Sequence, residues 1–187
     1  MNVSDYKKLG IVLILTAVIV MVSGCTSNNT QTFDKEGLSL EFPGNWNEIP
    51  TPSNDQNLAN KSGFNIIGVF IEGKEINNYT FIMEIGKANI TNTTLTQAAD
   101  NLNNNYIIEE SNQAPIVNRT SLKNGYDTII FTYNGTGASS NLTVYENTYV
   151  FSKDNNTAYY IIFGTPQTNI KENQKTIQKI MDSLTIK

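Results

Sequence analysis

The sequence contains no histidine and a single cysteine, and these two shortages exclude several kinds of chemistry. Without histidine, the chain lacks the usual general base, the base of a Ser-His-Asp triad and the commonest metal ligand. With one cysteine, no intramolecular disulfide can form, so an apolar core must stabilise the fold. Zinc would have to be held by carboxylates alone, which is an unusual ligand set. We therefore predict no catalytic residue, no metal site and no cofactor.

Charged side chains are also scarce, since they make up 16% of the 187 residues and leave a net charge of −4. Beyond the first few residues there is no run of Lys or Arg that could hold a phosphate backbone. We therefore expect no nucleic-acid partner. Asn, Thr and Ser supply much of the polar surface instead, so that surface is neutral and rich in hydrogen-bonding groups.

The one long apolar run lies near the N-terminus, where Lys7 and Lys8 precede the segment from Leu9 to Val22. Basic residues, an apolar stretch and then small residues form the order of a secretory signal. The run is shorter than the roughly 20 residues that a helix needs to cross a hydrocarbon core. This length favours a cleaved signal over a permanent membrane span.

The four residues Val22-Ser23-Gly24-Cys25 resemble the lipobox of prokaryotic lipoproteins, in which cleavage before the cysteine frees its sulfur to carry lipid. We predict a signal peptide with lipobox over residues 1–24, lipidation at Cys25, and a location on the extracytoplasmic face of the cell membrane. The alternative is an uncleaved anchor helix with an incidental thiol, and both readings place the following residues outside the cytoplasm. Residues 25–36 are predicted to be a flexible polar tether.

From residue 37 to residue 187, β-rich runs separated by turn residues predict a single domain with an antiparallel sheet. An Asn-Gly step at Asn124-Gly125 favours one tight hairpin, and the polar residues Ser152 to Thr157 favour another. The predicted strands run over Leu38 to Phe42, Phe64 to Ile71, Tyr79 to Ile85, Ile116 to Leu122, Tyr126 to Tyr133, Leu142 to Phe151 and Ala158 to Phe163.

Two segments have helical periodicity instead. The first follows a capping box formed by Thr94 and Gln97, and the second begins at Asn169 with Glu172 at the matching position. Their apolar stripes are Leu95, Ala98, Ala99, Leu102 and Tyr106, and then Ile170, Ile177, Ile180, Met181 and Leu184. The predicted class is α+β, with an antiparallel sheet flanked by two helices and preceded by the signal or anchor helix.

The segment from Gly37 to Trp46, in which a strand is followed by Pro, a short turn and Trp, resembles the opening of the PsbP-like family. The end of the chain agrees, with Tyr149 to Asn156 before Ala158 to Ile162, and then a last helix leading into Asp182-Ser183-Leu184-Thr185-Ile186. The resemblance implies an α/β/α sandwich and a non-enzymatic role, often as an accessory or assembly factor for a membrane complex. Together with the lipobox, it resembles a PsbP-like domain lipoprotein of prokaryotic, archaeal type.

Carboxylate chemistry is the main rival to a binding role. The acidic residues that could converge from different strands are Glu41, Glu72, Glu84, Asp100, Glu109, Glu110, Asp127 and Glu146. We expect each of them on a solvated strand face or turn. Asp154-Asn155-Asn156 could offer oxygens to calcium, but a turn is the favoured reading because these side chains bond their own backbone.

Two groups of aromatic residues could contact a ligand. Trp46 could stack on one, but we expect it to pack under the first strand. Tyr145, Tyr149, Tyr159 and Tyr160 could line a groove with their hydroxyls outward, although strands favour aromatic residues in any case. Both groups are therefore predicted to be structural.

The strongest modification signal is the sequon Asn-X-Ser/Thr, which marks candidate N-glycosylation sites in an exported chain. The candidate asparagines are Asn28, Asn78, Asn89, Asn92, Asn118, Asn134, Asn141 and Asn155.

The resulting hypothesis is a membrane-tethered, non-catalytic PsbP-like module that binds a protein or another component of the cell envelope. Its partners would be the membrane, through the lipid anchor, and an envelope protein. The alternatives are a carboxylate-based hydrolase or isomerase and a calcium-binding structural module.

Overall fold

The structure is a computed structural model that describes residues 29–72, 81–107, 115–122, 124–136, 143–166 and 170–187. The folded unit spans Gln31–Lys187. The predicted signal peptide and Cys25 lie outside the described residues. Within the described ranges, no helix is both long enough and apolar enough to cross a membrane.

The described part contains ten strands and three α-helices. The strands are β1 (Thr30–Lys35), β2 (Leu38–Pro43), β3 (Trp46–Glu48), β4 (Asn65–Glu72), β5 (Phe81–Asn89), β6 (Ile116–Ser121), β7 (Asp127–Thr136), β8 (Thr143–Ser152), β9 (Thr157–Pro166) and β10 (Thr185–Ile186). The helices are α1 (Ser53–Lys61), α2 (Leu95–Leu102) and α3 (Ile170–Ser183), and a π-helical turn, Asn103–Ile107, follows α2.

Seven strands form the main sheet, in the order β3-β4-β5-β9-β8-β7-β6. Every neighbouring pair in it is antiparallel, which confirms the predicted antiparallel sheet and the α+β class. A second sheet has the order β1-β2-β10, and β10 pairs antiparallel with β2. The segment that joins β4 to β5 lies outside the described residues, but the pairing of these strands agrees with the predicted hairpin.

The main sheet is covered on both faces. On one face, Met83 and Ile85 of β5 pack with the three-stranded sheet and with Ile177 and Ile180 of α3. On the other face, Ala98, Ala99 and Leu102 of α2 pack with Leu58 of α1 and with apolar residues of β7 to β9. Burying one large aliphatic side chain stabilises a fold by about 1.5 to 3 kcal/mol, so these two apolar cores supply much of the stability.

Both predicted helical stripes lie in the core, where all their residues are buried except Leu95 and Ile170, which are half-buried. The capping box at the start of α2 is complete. The Thr94 side chain accepts a hydrogen bond from the Gln97 backbone N–H, and the Gln97 side chain accepts one from the Thr94 backbone N–H. In α3, Ile177, Ile180 and Met181 are buried. The predicted cap of α3, Asn169, lies outside the described residues.

Four elements differ from the prediction. Residues Thr30–Lys35, which the sequence reading assigned to the polar tether, instead form β1. Phe33 is only 3% exposed and packs edge-on against Phe70, with ring centroids 5.8 Å apart. The short strands β3 and β10 and the helix α1 were not predicted, so three described helices replace the expected two. In α1 only Leu58 and Ala59 are buried, which leaves no apolar stripe to recognise.

Candidate functional site

Glu84 is a carboxylate enclosed in the fold. It lies on β5, on the face covered by α1 and α2, and is 5% exposed. Tyr106 Oη donates to Oε1 and Oε2 of Glu84 at 2.8 and 2.9 Å, and Tyr160 Oη donates to Oε1 at 2.7 Å. The expectation that Glu84 lies on a solvated strand face is therefore wrong.

Two backbone features bring the tyrosines to Glu84. Tyr160 of β9 lies opposite Gly86 of β5, and a Cβ atom at Gly86 would lie 2.1 Å from the Tyr160 ring. The missing side chain therefore leaves room for that ring over β5. Tyr106 lies in the π-helical turn after α2, an irregularity often found at functional sites. The ring of Phe64 packs edge-on against Tyr160, with centroids 5.2 Å apart.

The electrostatics of this cluster keep both tyrosines protonated. Burial first, and then the charge of Glu84, raise the pKa of Tyr106 and of Tyr160 above the ordinary value of 10. Asp55 of α1 adds a smaller effect of the same sign to each, and burial raises its own pKa too. Both hydroxyls therefore act as donors to Glu84, and the bonds from Tyr106 tie the π-helical turn to the sheet.

The described acidic candidates other than Glu84 do not form a single cluster with it. Glu41, Asp100 and Asp127 are exposed, while Glu109 and Glu110 lie outside the described residues. Glu72 is half-buried and accepts from Asn45 Nδ2 at 3.2 Å. Glu146 is half-buried and accepts from Thr148 Oγ1 at 3.2 Å. Among the described residues, no group of three or more acidic, His or Cys side chains is placed to hold a metal ion.

The Asp154 segment forms the turn between β8 and β9. Asp154 Oδ1 accepts from the backbone N–H groups of Asn156 and Thr157 at 3.0 and 3.2 Å. These two bonds lower the pKa of the Asp154 carboxyl. Asn155 has a φ of 58°, a left-handed conformation that asparagine tolerates in turns. The preferred reading of this segment as a turn is confirmed.

The aromatic candidates do not come together as one group. Trp46 is 3% exposed and packs on Phe81 with ring centroids 4.7 Å apart, as expected of a residue under the first strands. Tyr160 lies on the opposite face of the sheet from Tyr159, whose hydroxyl donates to the Glu36 carbonyl at 2.7 Å. The four tyrosines therefore do not line one groove.

The β6 edge, meaning the strand Ile116–Ser121, is open to solvent. All six of its residues are exposed, and the exposed fractions of Ile116 and Val117 are 67% and 54%. They are the only large hydrophobic residues in the described ranges that are exposed to this degree. Sequence reasoning predicted this strand but missed its position, because only the strand order places it at the end of the sheet.

Arg119 is the only positive charge on this edge and the only arginine in the sequence. Its Nη2 donates to Thr96 Oγ1 of α2 at 2.9 Å, and the ion pairs found among the described residues do not include it. The β6 edge therefore combines apolar side chains with a guanidinium whose charge is uncompensated within the described part of the chain.

The sequons in the described ranges all lie on the surface. The exposed asparagines are Asn89, Asn92, Asn118, Asn134 and Asn155, whereas Asn28, Asn78 and Asn141 lie outside the described residues. Asn60, at the end of α1, begins a further sequon that the sequence reading missed, and it is also exposed. These exposed asparagines stay predicted glycosylation sites.

No protein-family model matches the sequence, and no curated protein is significantly similar to it. Several solved structures share its fold. Cyanobacterial PsbP (CyanoP) from Synechocystis sp. PCC 6803 superposes with a TM-score of 0.59 at 10% identity, over 88% of this chain and 95% of that chain.

Two further structures are similar. The Saccharomyces cerevisiae Ran-binding protein Mog1p has a TM-score of 0.53 at 9% identity, over 86% of this chain and 96% of that chain. LpqN, a Mycobacterium tuberculosis protein involved in cell envelope biogenesis, has a TM-score of 0.50 at 13% identity, over 85% and 92%. At these identities the similarity concerns the fold alone, and the chain therefore has a PsbP-like fold.

Proposed function

We propose that this protein is an exported, membrane-tethered accessory module that binds a protein partner on the extracytoplasmic face through the β6 edge. The observation that carries the proposal is the exposure of Ile116 and Val117 on a strand whose six residues all face solvent. Ile116 and Val117 point to opposite faces of the strand and so do not form one apolar patch, but an exposed edge strand with apolar side chains is a template for pairing with another chain.

The structural neighbours support a binding role by analogy of fold. Mog1p is described as Ran-binding, so one protein with this fold has a protein partner. LpqN is described as involved in cell envelope biogenesis, which fits a role outside the cytoplasm. A shared fold does not carry a shared partner, so the partner must be found through the surface of this chain.

The proposed anchor rests on the sequence. Residues 1–24 have the order of a secretory signal, and Cys25 stands where a lipobox cysteine would be lipidated. Stable retention requires two acyl chains or an equivalent lipid, because one chain binds a membrane only marginally. The domain would then follow the anchor after a few residues, since β1 begins at Thr30.

A non-catalytic role fits the chemistry of the described residues. A carboxylate acting as a general base must reach its substrate, but Glu84 is 5% exposed and accepts hydrogen bonds from two tyrosines. The cluster around Glu84 therefore fits a role in stability better than one in turnover.

Site-specific photo-crosslinking in cells tests the binding proposal. A photoreactive residue at Ile116 should capture a defined partner, while the same residue at Lys175, exposed on α3, should not. Equal capture from both positions, or none from Ile116, would reject the β6 edge as the binding surface.

Fractionation tests the anchor separately. Cys25→Ser should leave the precursor uncleaved or release the protein from the membrane fraction. Unchanged size and unchanged detergent partitioning would show that the cysteine carries no lipid.

A further inference from the structure

We propose that the partner binds as an added β-strand along β6 and places a carboxylate beside Arg119, an inference that rests on the proposed function. The occupant would be an extended segment of another protein, with an acidic residue flanked by apolar or β-branched residues. Main-chain hydrogen bonds would supply the affinity, and Arg119 would supply the selectivity.

The backbone of β6 is suited to this mode of binding. Its inner side pairs with β7 in continuous register, from Ile116↔Thr132 to Ser121↔Asp127. Within the described ranges, no strand lies on its outer side, and no other backbone group hydrogen-bonds to it. An edge strand of this kind presents a row of N–H and C=O groups that an extended peptide can pair with, provided that Asn118 in β6 carries no glycan.

The opposite edge of the sheet shows what a protected edge looks like in the same domain. There β3 has three residues, and its Trp46 is buried in the core. Proteins commonly shorten or cover their edge strands in this way to prevent unwanted pairing. In contrast, β6 has six residues, no proline and two exposed apolar side chains, so it keeps the features that favour pairing.

Arg119 indicates the charge of the added strand. A guanidinium offers five N–H donors in a planar fork that matches a carboxylate, and Arg119 uses one of them on the neutral hydroxyl of Thr96. Arg119 and Val117 lie on the same face of the strand, because side chains alternate along it. An acidic residue of the partner opposite Arg119 would therefore have an apolar neighbour on that face.

The same charge argues against a second copy of this chain as the occupant. Two-fold antiparallel pairing of β6 with itself brings the central residues of the two strands together. The two Arg119 side chains would then be opposite or diagonal neighbours on one face, and like charges in such positions are destabilising. A strand that carries a carboxylate has no such penalty.

Peptide selection on the full chain in detergent micelles tests this inference. A library of random linear dodecapeptides should yield binders with Asp or Glu between β-branched or apolar residues. Arg119→Gln should weaken their binding by about tenfold, since hydrogen bonds to charged groups are the stronger ones. Arg119→Glu should shift the selected residue from acidic to basic, and Lys175→Gln should change nothing.

Backbone N-methylation of a selected peptide separates strand addition from other modes. In an added strand, alternate N–H groups point toward β6, so methylating one alternate set should abolish binding and methylating the other should not. Hydrogen exchange should show protection of β6 amides on binding. Peptides that tolerate both sets of N-methyl groups, or that protect another surface, would overturn the inference.

The outcomes also separate this inference from the function on which it rests. If Ile116 captures a partner in cells but no selected peptide protects β6, the strand-addition inference fails and the binding function stands. If a photoreactive residue at Asn118 joins two copies of this chain, the occupant is a second copy and the inference is overturned. If neither Ile116 nor Asn118 captures anything and no peptide binds, both proposals fail.

Discussion

Gly86 of β5 lies directly opposite Tyr160 of β9, and the Tyr160 ring fills the space that a side chain at Gly86 would occupy. This packing lets the Tyr160 hydroxyl reach Glu84, two residues before Gly86 on the same face of the strand. One missing side chain therefore determines whether the buried carboxylate has both of its tyrosine donors.

Gly86→Ala should destabilise the domain by about 1 to 3 kcal/mol, the usual cost of forcing extra volume into a packed core. The new Cβ would lie 2.1 Å from the Tyr160 ring, which cannot move without losing contacts to Phe64. Gly164→Ala is the matched control, because the nearest atom there is one methyl of Ile82 at 2.8 Å. If the urea midpoints of the two variants decrease equally relative to the parent protein, this explanation is contradicted.

Tyr106→Phe and Tyr160→Phe should each cost about 1.5 to 3 kcal/mol, the range for hydrogen bonds to charged groups. Each variant removes a donor to the carboxylate of Glu84 and leaves that buried group less well satisfied. Tyr145→Phe, at a half-buried position of β8, provides the control and should change the free energy of unfolding much less. Similar losses in all three variants would show that the Glu84 cluster has no special role.

Stability should fall steeply in alkaline solution. The native pKa values of Tyr106 and Tyr160 are raised above 10, so these residues keep their protons in the native state and lose them on unfolding. Because the unfolded chain binds fewer protons, the free energy of unfolding decreases above about pH 10 by about 1.4 kcal/mol per pH unit for each tyrosine.

Replacing both tyrosines with phenylalanine should flatten this alkaline decline relative to the parent protein. Urea unfolding of both proteins at pH 9 and pH 11 measures this decline in the free energy of unfolding. An identical slope in the double variant would mean that other groups cause the decline.

Asp154→Ala should destabilise the hairpin between β8 and β9 at neutral pH by removing the acceptor of two backbone N–H groups. The native pKa of Asp154 is lowered by these bonds, so its contribution is present above the ordinary carboxyl pKa and disappears as the pH falls through the native value. The urea midpoints of variant and parent should therefore differ at neutral pH and converge in strong acid, while Asp100→Ala should have little effect at either pH. A gap that persists in acid would indicate a cause other than the carboxylate charge.

Ending the chain at Thr168 should abolish cooperative folding of the remaining domain. Such a truncation removes α3, which buries Ile177, Ile180 and Met181, and also β10, which pairs with β2. Losing three large apolar side chains, at about 1.5 to 3 kcal/mol each, is comparable to the about 5 to 15 kcal/mol that stabilises a typical domain. Ile180→Ala should instead leave a cooperative but earlier thermal transition, and a cooperative melt in the truncated chain would show that α3 is peripheral.

Local patterns predicted most of the sheet and two helices. Alternation of Leu38, Leu40 and Phe42 marked β2, and a capping box followed by an apolar stripe marked α2. The same reasoning missed β1 and α1, because each places only one or two side chains in the core. The stability of these two elements depends on contacts that are distant in sequence.

The candidate site was less predictable because it depends on strand order. Glu84 lies between the apolar residues Met83 and Ile85 of β5, and a sheet open on one face would have left its side chain in water. Only the cover of α1 and α2 buries it, and only the position of β6 at the end of the sheet exposes Ile116 and Val117. Neither fact can be read from local periodicity.

The three-stranded sheet has a consequence for when the domain can fold. Its middle strand, β2, is among the first segments of the domain to be synthesised, whereas its partner β10 comes after α3. The backbone N–H of Lys187 also donates to the Gly37 carbonyl at 2.9 Å, so the end of β10 is bonded to the turn before β2. A chain that extends only to β9 therefore has β2 paired with β1 but without its second neighbour, and the three-stranded sheet is complete only once β10 is present.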